Sequence, residues 1–118
     1  IWLRCSMSRH DSGVHLRDML DHSREAVQTL GEVDLERFRD MRVLQLALTR
    51  LVEIIGEAAN RTDSHTRECH PEIPWSRIIG MRNRLIHGYD VVDCDLLWYT
   101  VNNDLPPLID TLEAITEE

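Results

Sequence analysis

Between Met41 and Ala59 the apolar residues Met41, Val43, Leu44, Ala47, Leu48, Leu51, Val52, Ile54, Ile55, Ala58 and Ala59 recur at helical spacing and cover about half of a helical wheel. An arc that wide touches more than one neighbour, and a bundle core and a partner subunit are the natural candidates. Aromatic residues make up only 5% of the chain, which favours helix packing over a sheet sandwich. Gly56 sits inside the stretch and weakens a helix by about 1 kcal/mol relative to alanine. Either another element approaches closely there or the glycine is merely tolerated. Glu53 and Glu57 fall on the polar side and are expected to be solvated.

The other segments extend the same pattern. Leu16, Met19, Leu20, Ala26, Val27 and Leu30 give an amphipathic helix from Val14 to Leu30, stopped by Gly31. Asp34 is placed to cap a short turn through Leu35 and Phe38. Pro71 and Pro74 end the long helix, Pro74 opens the next at its first turn, and Trp75 anchors that helix in the core. Asp93 is an N-cap for a last helix carrying Leu96, Leu97, Val101, Leu105, Leu108, Leu112 and Ile115. Pro106-Pro107 should kink or break it near Asn102 to Leu105, because proline removes a backbone bond and clashes one turn back. The expectation is an all-α bundle of four to five helices. Residues 14–118 form its single domain, and residues 1–13 are an N-terminal extension that is disordered or foreign to the natural chain. Met7 could be the natural start.

At 118 residues the chain holds one core. Three cysteines, Cys5, Cys69 and Cys94, argue against a disulfide framework by number and spacing, so a reduced cytoplasm fits. No run approaches the roughly 20 apolar residues of a membrane span. His65 and Cys69 have a spacing that a metal pair could use, but no completing ligands accompany them, and no metal or cofactor is expected. A formal net charge of -8 excludes a surface that coats nucleic acid generally. Any RNA contact must be local, and Arg77, Arg82, Arg84 and His87 concentrate positive character in one segment.

That segment is Met81-Arg82-Asn83-Arg84-Leu85-Ile86-His87-Gly88-Tyr89-Asp90. On a helix turning about 100° per residue, Trp75, Ile78, Ile79, Met81, Leu85 and Ile86 form an apolar arc with Arg82 near its middle. A guanidinium there needs a partner or a ligand. Asn83 and His87 share another face with Gly80. Arg82 and His87 would diverge by roughly 140° on an ideal helix, so His87 is expected where the helix stops, with Gly88 as its left-handed cap. On spacing alone, the segment reads first as a helix end with a salt-bridged arginine, a dipole-complementing histidine and an interfacial tyrosine.

Arg82-x4-His87-x-Tyr89, with Asn83 directly after the arginine, resembles the Arg-x4-6-His signature of HEPN-domain ribonucleases, in particular the Arg-x4-His-x-Tyr form of HepT toxins. The similarity extends to Ile55-Gly56-Glu57-Ala58-Ala59, Pro71-Glu72-Ile73-Pro74-Trp75 and Asn103-Asp104-Leu105-Pro106. Four segments in order carry far more weight than a bare Arg-x4-His. The resemblance implies a HEPN-type bundle in a symmetric dimer. It also implies metal-independent RNA cleavage with Arg82 and His87 as catalytic residues and Asn83 as a polar support. In that family a small MntA-type nucleotidyltransferase acts as antitoxin by transferring AMP to the tyrosine, here Tyr89, in a type II/VII-like toxin–antitoxin system.

The residue chemistry suits that activity. Cleavage without metal needs a base for the ribose 2′-hydroxyl, a donor for the leaving 5′-oxygen and positive charge on the phosphorane. His87 can serve as acid or base near neutrality, and Arg82 offers a fixed donor fork, with Arg77 and Arg84 as further RNA contacts. One motif holds one histidine, and His10, His15, His22, His65 and His70 lack comparable company, so two copies around one cleft would supply both proton-transfer groups. Two other classes stay open: a non-catalytic HEPN module that binds nucleotide or positions substrate for a nucleotidyltransferase, and a purely structural helical dimer.

Overall fold

The computed structural model describes residues 10–87 and 91–116. Three major helices form its body: α1 (His10–Leu30), α3 (Arg42–Arg61) and α8 (Leu105–Thr116), with short helices between them. α1 begins ahead of Val14, and residues 1–9 of the expected extension lie outside the described residues. It ends at Gly31, whose φ of 56° suits a residue without Cβ and whose N–H donates to the Val27 carbonyl at 3.0 Å. Asp34 then caps α2 (Leu35–Phe38) by accepting from the Arg37 N–H at 2.9 Å. The side chain of Gln45 is buried, and it donates to the Phe38 and Arg39 carbonyls at 2.9 and 3.1 Å, meeting the acceptors at the end of α2.

The wide apolar arc of α3 is used mostly within the chain. It packs on α1 along one side and on α5 (Trp75–Ile79) and α6 (Met81–Leu85) along another. Leu48, Leu51, Val52, Ile55, Ala58 and Ala59 are buried together with Leu16, Met19, Leu20 and Leu30 of α1. Each such leucine or isoleucine contributes about 1.5–3 kcal/mol relative to exposure. Val43 and Ala47, expected on the buried arc, are exposed, and so is Leu46.

Asp63 caps α4 (Ser64–Cys69) through the Thr66 N–H. Trp75, half-buried against the core, donates its indole N–H to the His70 carbonyl at 3.0 Å and so fixes the start of α5. Past α6 the chain is not helical. Ile86–His87 (β1) pairs antiparallel with Val91–Val92 (β2), in the register Ile86 to Val92 and His87 to Val91. The Asp93 N–H closes the base of this ladder on the Leu85 carbonyl at 2.7 Å, and the Asp93 carboxylate accepts from the Leu96 N–H to cap α7 (Cys94–Tyr99).

α7 and α8 are one rod interrupted by a π turn at Thr100–Asp104. Pro106 and Pro107 have no N–H for the carbonyls one turn back, and the Leu105 N–H reaches instead to the Thr100 carbonyl. The amides of Asn102 and Asn103 donate to the Trp98 and Tyr99 carbonyls at 3.0 and 3.1 Å. The rod lies against α1, tied by Arg24 to Glu113 at 2.6 Å. No helix among the described residues is long and apolar enough to cross a membrane.

Candidate active site

The motif segment is built from pieces rather than from one helix. α5 stops at Ile79, Gly80 is a turn, and α6 restarts at Met81. The break resets the helical phase, which is why the wheel drawn through residues 75–86 fails at Arg82. Met81 and Leu85 are buried, whereas Arg82 is exposed at the surface. Arg84 bridges the break: its Nη2 donates to the Arg77 carbonyl at 2.7 Å, and its Nη1 would lie 3.3 Å from a Cβ placed on Gly80.

Arg82 Nε donates to Glu53 Oε2 of α3 at 2.6 Å. Glu53 Oε1 lies 3.7 Å from Arg50 Nη1, and the Glu53 side chain is only 25% exposed. Glu53 is therefore not the solvated acid expected from its place on the polar face. Glu57, one turn on, is exposed and pairs with Arg61 at 3.0 Å. Gly56 lies where α3 packs on α5. A Cβ there would lie 3.1 Å from the Ile78 carbonyl oxygen, so the glycine marks a close backbone approach.

The helix also ends earlier than expected. α6 stops at Leu85 and His87 belongs to β1, so Gly88 does not directly follow a helix. Gly88, Tyr89 and Asp90 lie outside the described residues. Asn83 is exposed on α6. Arg77 is exposed and bound to Asp104 of the π turn at 3.1 Å, so it and Arg84 both have structural partners. A cleft of about 240 Å³ opens beside Arg77, between Pro74, Ile78 and Met81 on one wall and Asn103, Leu105 and Leu108 on the other.

Outside the motif, burial pushes the Cys94 thiol up, helped by the charges of Asp95 and Asp93, which disfavours a reactive thiolate. His65 Nε2 and Cys69 Sγ stand 3.8 Å apart. Among the described residues no three His, Cys, Asp or Glu side chains gather as a metal site.

Residues 19–115 match the family model described as Ribonuclease HepT-like. The chain belongs to the HepT-like ribonuclease family. It is 33% identical over 109 residues to a provisionally named RNase of Methanocaldococcus jannaschii, covering 92% of this chain and 100% of that one. It is 37% identical over 103 residues to a probable ribonuclease HepT of Thermococcus cleftensis, covering 84% and 94% of the two chains. A provisionally named RNase of Caldanaerobacter subterraneus is 32% identical over 104 residues, covering 88% and 93%. No solved structure gives a significant match.

In this HepT-like chain the structure groups Arg82, Asn83 and Arg84 on one short helix and sets His87 two residues beyond its end. Sequence reasoning missed Glu53, the acid of α3 that binds Arg82, and Arg50, which faces the other oxygen of that acid. The usable signal was Glu53 lying three residues before Gly56, on the same helical face as the glycine that marks a close approach.

Proposed function

We propose that this HepT-like protein is a metal-independent endoribonuclease, folded as a single HEPN-type domain, that cuts RNA through Arg82 and His87 at the cleft of a symmetric dimer. The observation that carries the reading is the family match over residues 19–115, the stretch in which Arg82 and His87 lie. The exposure of Arg82 supports it, because a substrate phosphate needs a guanidinium at the surface rather than one sealed in the core.

In this reaction the ribose 2′-oxygen attacks phosphorus as a base takes its proton. The bond from phosphorus to the 5′-oxygen breaks as an acid protonates that oxygen, leaving a 2′,3′-cyclic phosphate and a 5′-hydroxyl. Arg82 stabilises the charge on the phosphorane oxygens. His87 of one subunit acts as base and His87 of the other as acid, with Asn83 as polar support and Arg77 and Arg84 adding phosphate contacts. Val43 and Leu46 leave apolar surface on α3 for a second copy. The protein acts as the toxin of a pair, and a nucleotidyltransferase antitoxin silences it by placing AMP on Tyr89. The added phosphodiester would compete for Arg82 and the base would fill the nucleotide's place.

The test is RNA turnover by purified protein with EDTA present. Arg82→Ala and His87→Ala should each lose at least about 10²-fold in rate with the fold kept, and products should carry 2′,3′-cyclic phosphate. Unchanged cleavage by His87→Ala would assign the activity to a contaminant and leave a non-catalytic module. Light scattering on a sizing column should give a dimer. Co-expression with the partner nucleotidyltransferase should add AMP masses to Tyr89 that are absent from Tyr89→Phe.

A further inference from the structure

One carboxylate in α3 stands between two arginines. Glu53 binds Arg82 through Nε at 2.6 Å and faces Arg50 at 3.7 Å. A carboxylate can grip a guanidinium along its Nε–Nη edge with both oxygens, as Asp95 grips Arg39 with bonds of 3.0 and 2.9 Å. Glu53 does not. Its single bond is to Nε, and among the described residues no other group bonds this guanidinium. The Nη1 and Nη2 groups are left on an exposed side chain.

Two guanidinium charges against one carboxylate leave the cluster positive within an acidic protein, so the acid holds Arg82 without cancelling the local attraction for an anion. The side chain of Glu53 is far less exposed than that of Arg82, 25% against 56%, so the acid is the fixed member and the arginine the presented one. The backbone contact of Gly56 with Ile78 lies one turn from Glu53 along α3 and four residues before Arg82, across the break at Gly80, and sets the spacing at which the pair meets. An exposed arginine otherwise samples many rotamers, and ordering it only when substrate binds would cost rate.

We propose that Glu53 is the positioning residue for Arg82: it fixes the guanidinium through Nε and presents the Nη1–Nη2 edge as a preformed two-donor fork for the oxygens of an RNA phosphate. The assignment rests on the ribonuclease reading of Arg82 given above. Glu53 itself transfers no proton and touches no substrate.

Three variants test it, assayed on RNA below their unfolding temperatures. Glu53→Ala should lower kcat by about tenfold or more with KM little changed, the scale of a misplaced group. Glu53→Gln keeps an oxygen acceptor for Nε–H and should restore most of kcat. Glu57→Ala breaks a neighbouring ion pair on the same helix and should leave the rate alone. In nitrogen–proton spectra, an Arg82 Nε–H resonance, assigned by its loss in Arg82→Ala, should stand apart in wild type and move to the position of free arginines in Glu53→Ala.

An inactive Glu53→Gln would overturn the proposal in favour of proton transfer by the carboxylate. An Ala variant with unchanged kcat, or with only a lower KM, would reduce Glu53 to a screen on the charge of Arg82 and overturn it too. If Arg82→Ala cleaves RNA as well as wild type, the ribonuclease reading of Arg82 fails instead. The spectra still decide the positioning claim in that event, since an unmoved resonance in Glu53→Ala sinks it.

Discussion

The two sides of α3 are held in different ways. Toward α1, Leu16, Met19, Leu20 and Leu30 are buried with Leu48, Val52 and Ile55 in one apolar cluster. Toward α5 and α6, the closest features are a carbonyl facing Gly56 and one ion pair from Glu53 to Arg82. The first side spreads its energy over many apolar contacts and holds the fold. The second also buries Ile78, Met81 and Leu85, and adds one close approach and one ion pair that set the geometry of one guanidinium. Stability and activity should therefore separate when each side is damaged. Leu20→Ala, at a fully buried position, should cost about 2–5 kcal/mol, read as a fall in denaturation midpoint, while the RNA cleavage rate per folded molecule stays near wild type. A rate loss as large as that of Arg82→Ala would break the division.

Gly56→Ala probes the other side and should have a smaller thermal effect. Alanine gains about 1 kcal/mol of helix propensity, but its Cβ would lie 3.1 Å from the Ile78 carbonyl oxygen. That oxygen is backbone, so the short α5 must move as a unit, and overpacking of this kind costs about 1–3 kcal/mol. The net expectation is a loss of order 1 kcal/mol. The cleavage rate should fall by more than that loss of stability explains, because the shift displaces Ile78, four residues before Arg82 across the break at Gly80. Paired measurements of thermal midpoint and kcat check this. Higher stability with full activity would show that the close approach is incidental.

The same contrast explains what was legible in the sequence. The stop at Gly31, the turn capped by Asp34, the cap at Asp93 and the irregularity before Pro106 follow from local backbone chemistry, and each is present where local rules put it. The close approach at Gly56 was one of two readings and is the one observed. Arg82 was misread because its environment depends on a phase reset at Gly80, and a wheel assumes no reset. Its partner Glu53 is 29 residues away in sequence, and no local rule joins them. The ladder of β1 and β2 was likewise invisible, since two-residue strands carry no period.

Asp93 belongs to both kinds of contact, which makes its removal a sharper probe. Its carboxylate caps α7, and its backbone N–H closes the ladder that contains His87. Asp93→Ala removes the cap and keeps the backbone bond. The expected cost is about 1 kcal/mol, with the cleavage rate unchanged, as judged by chemical denaturation beside an RNA assay. A large rate loss would mean that the carboxylate also holds the ladder in place.

The smallest effect is expected at Arg39–Asp95, which joins the end of α2 to α7 with better hydrogen-bond geometry than Glu53–Arg82. The hydrogen bond from Arg39 holds the Asp95 carboxyl below its ordinary value of 3.8. A carboxylate lowered in the folded state contributes stability that is fully present above that ordinary value. The contribution shrinks as pH falls through it, because the unfolded chain takes up the proton first, and it is gone below the folded value. Both side chains are exposed, so salt should screen what the pair contributes. The thermal midpoint of Asp95→Asn should lie slightly below wild type at about pH 6 and converge with it toward about pH 3, and the gap at the higher pH should narrow in high salt. RNA cleavage should be untouched. Equal losses of cleavage in Asp95→Asn and Glu53→Ala would mean that any ion pair on this scaffold serves activity. Loss in Glu53→Ala alone ties the effect to the side of α3 that carries Arg82, since the geometrically better pair then matters less than the better placed one.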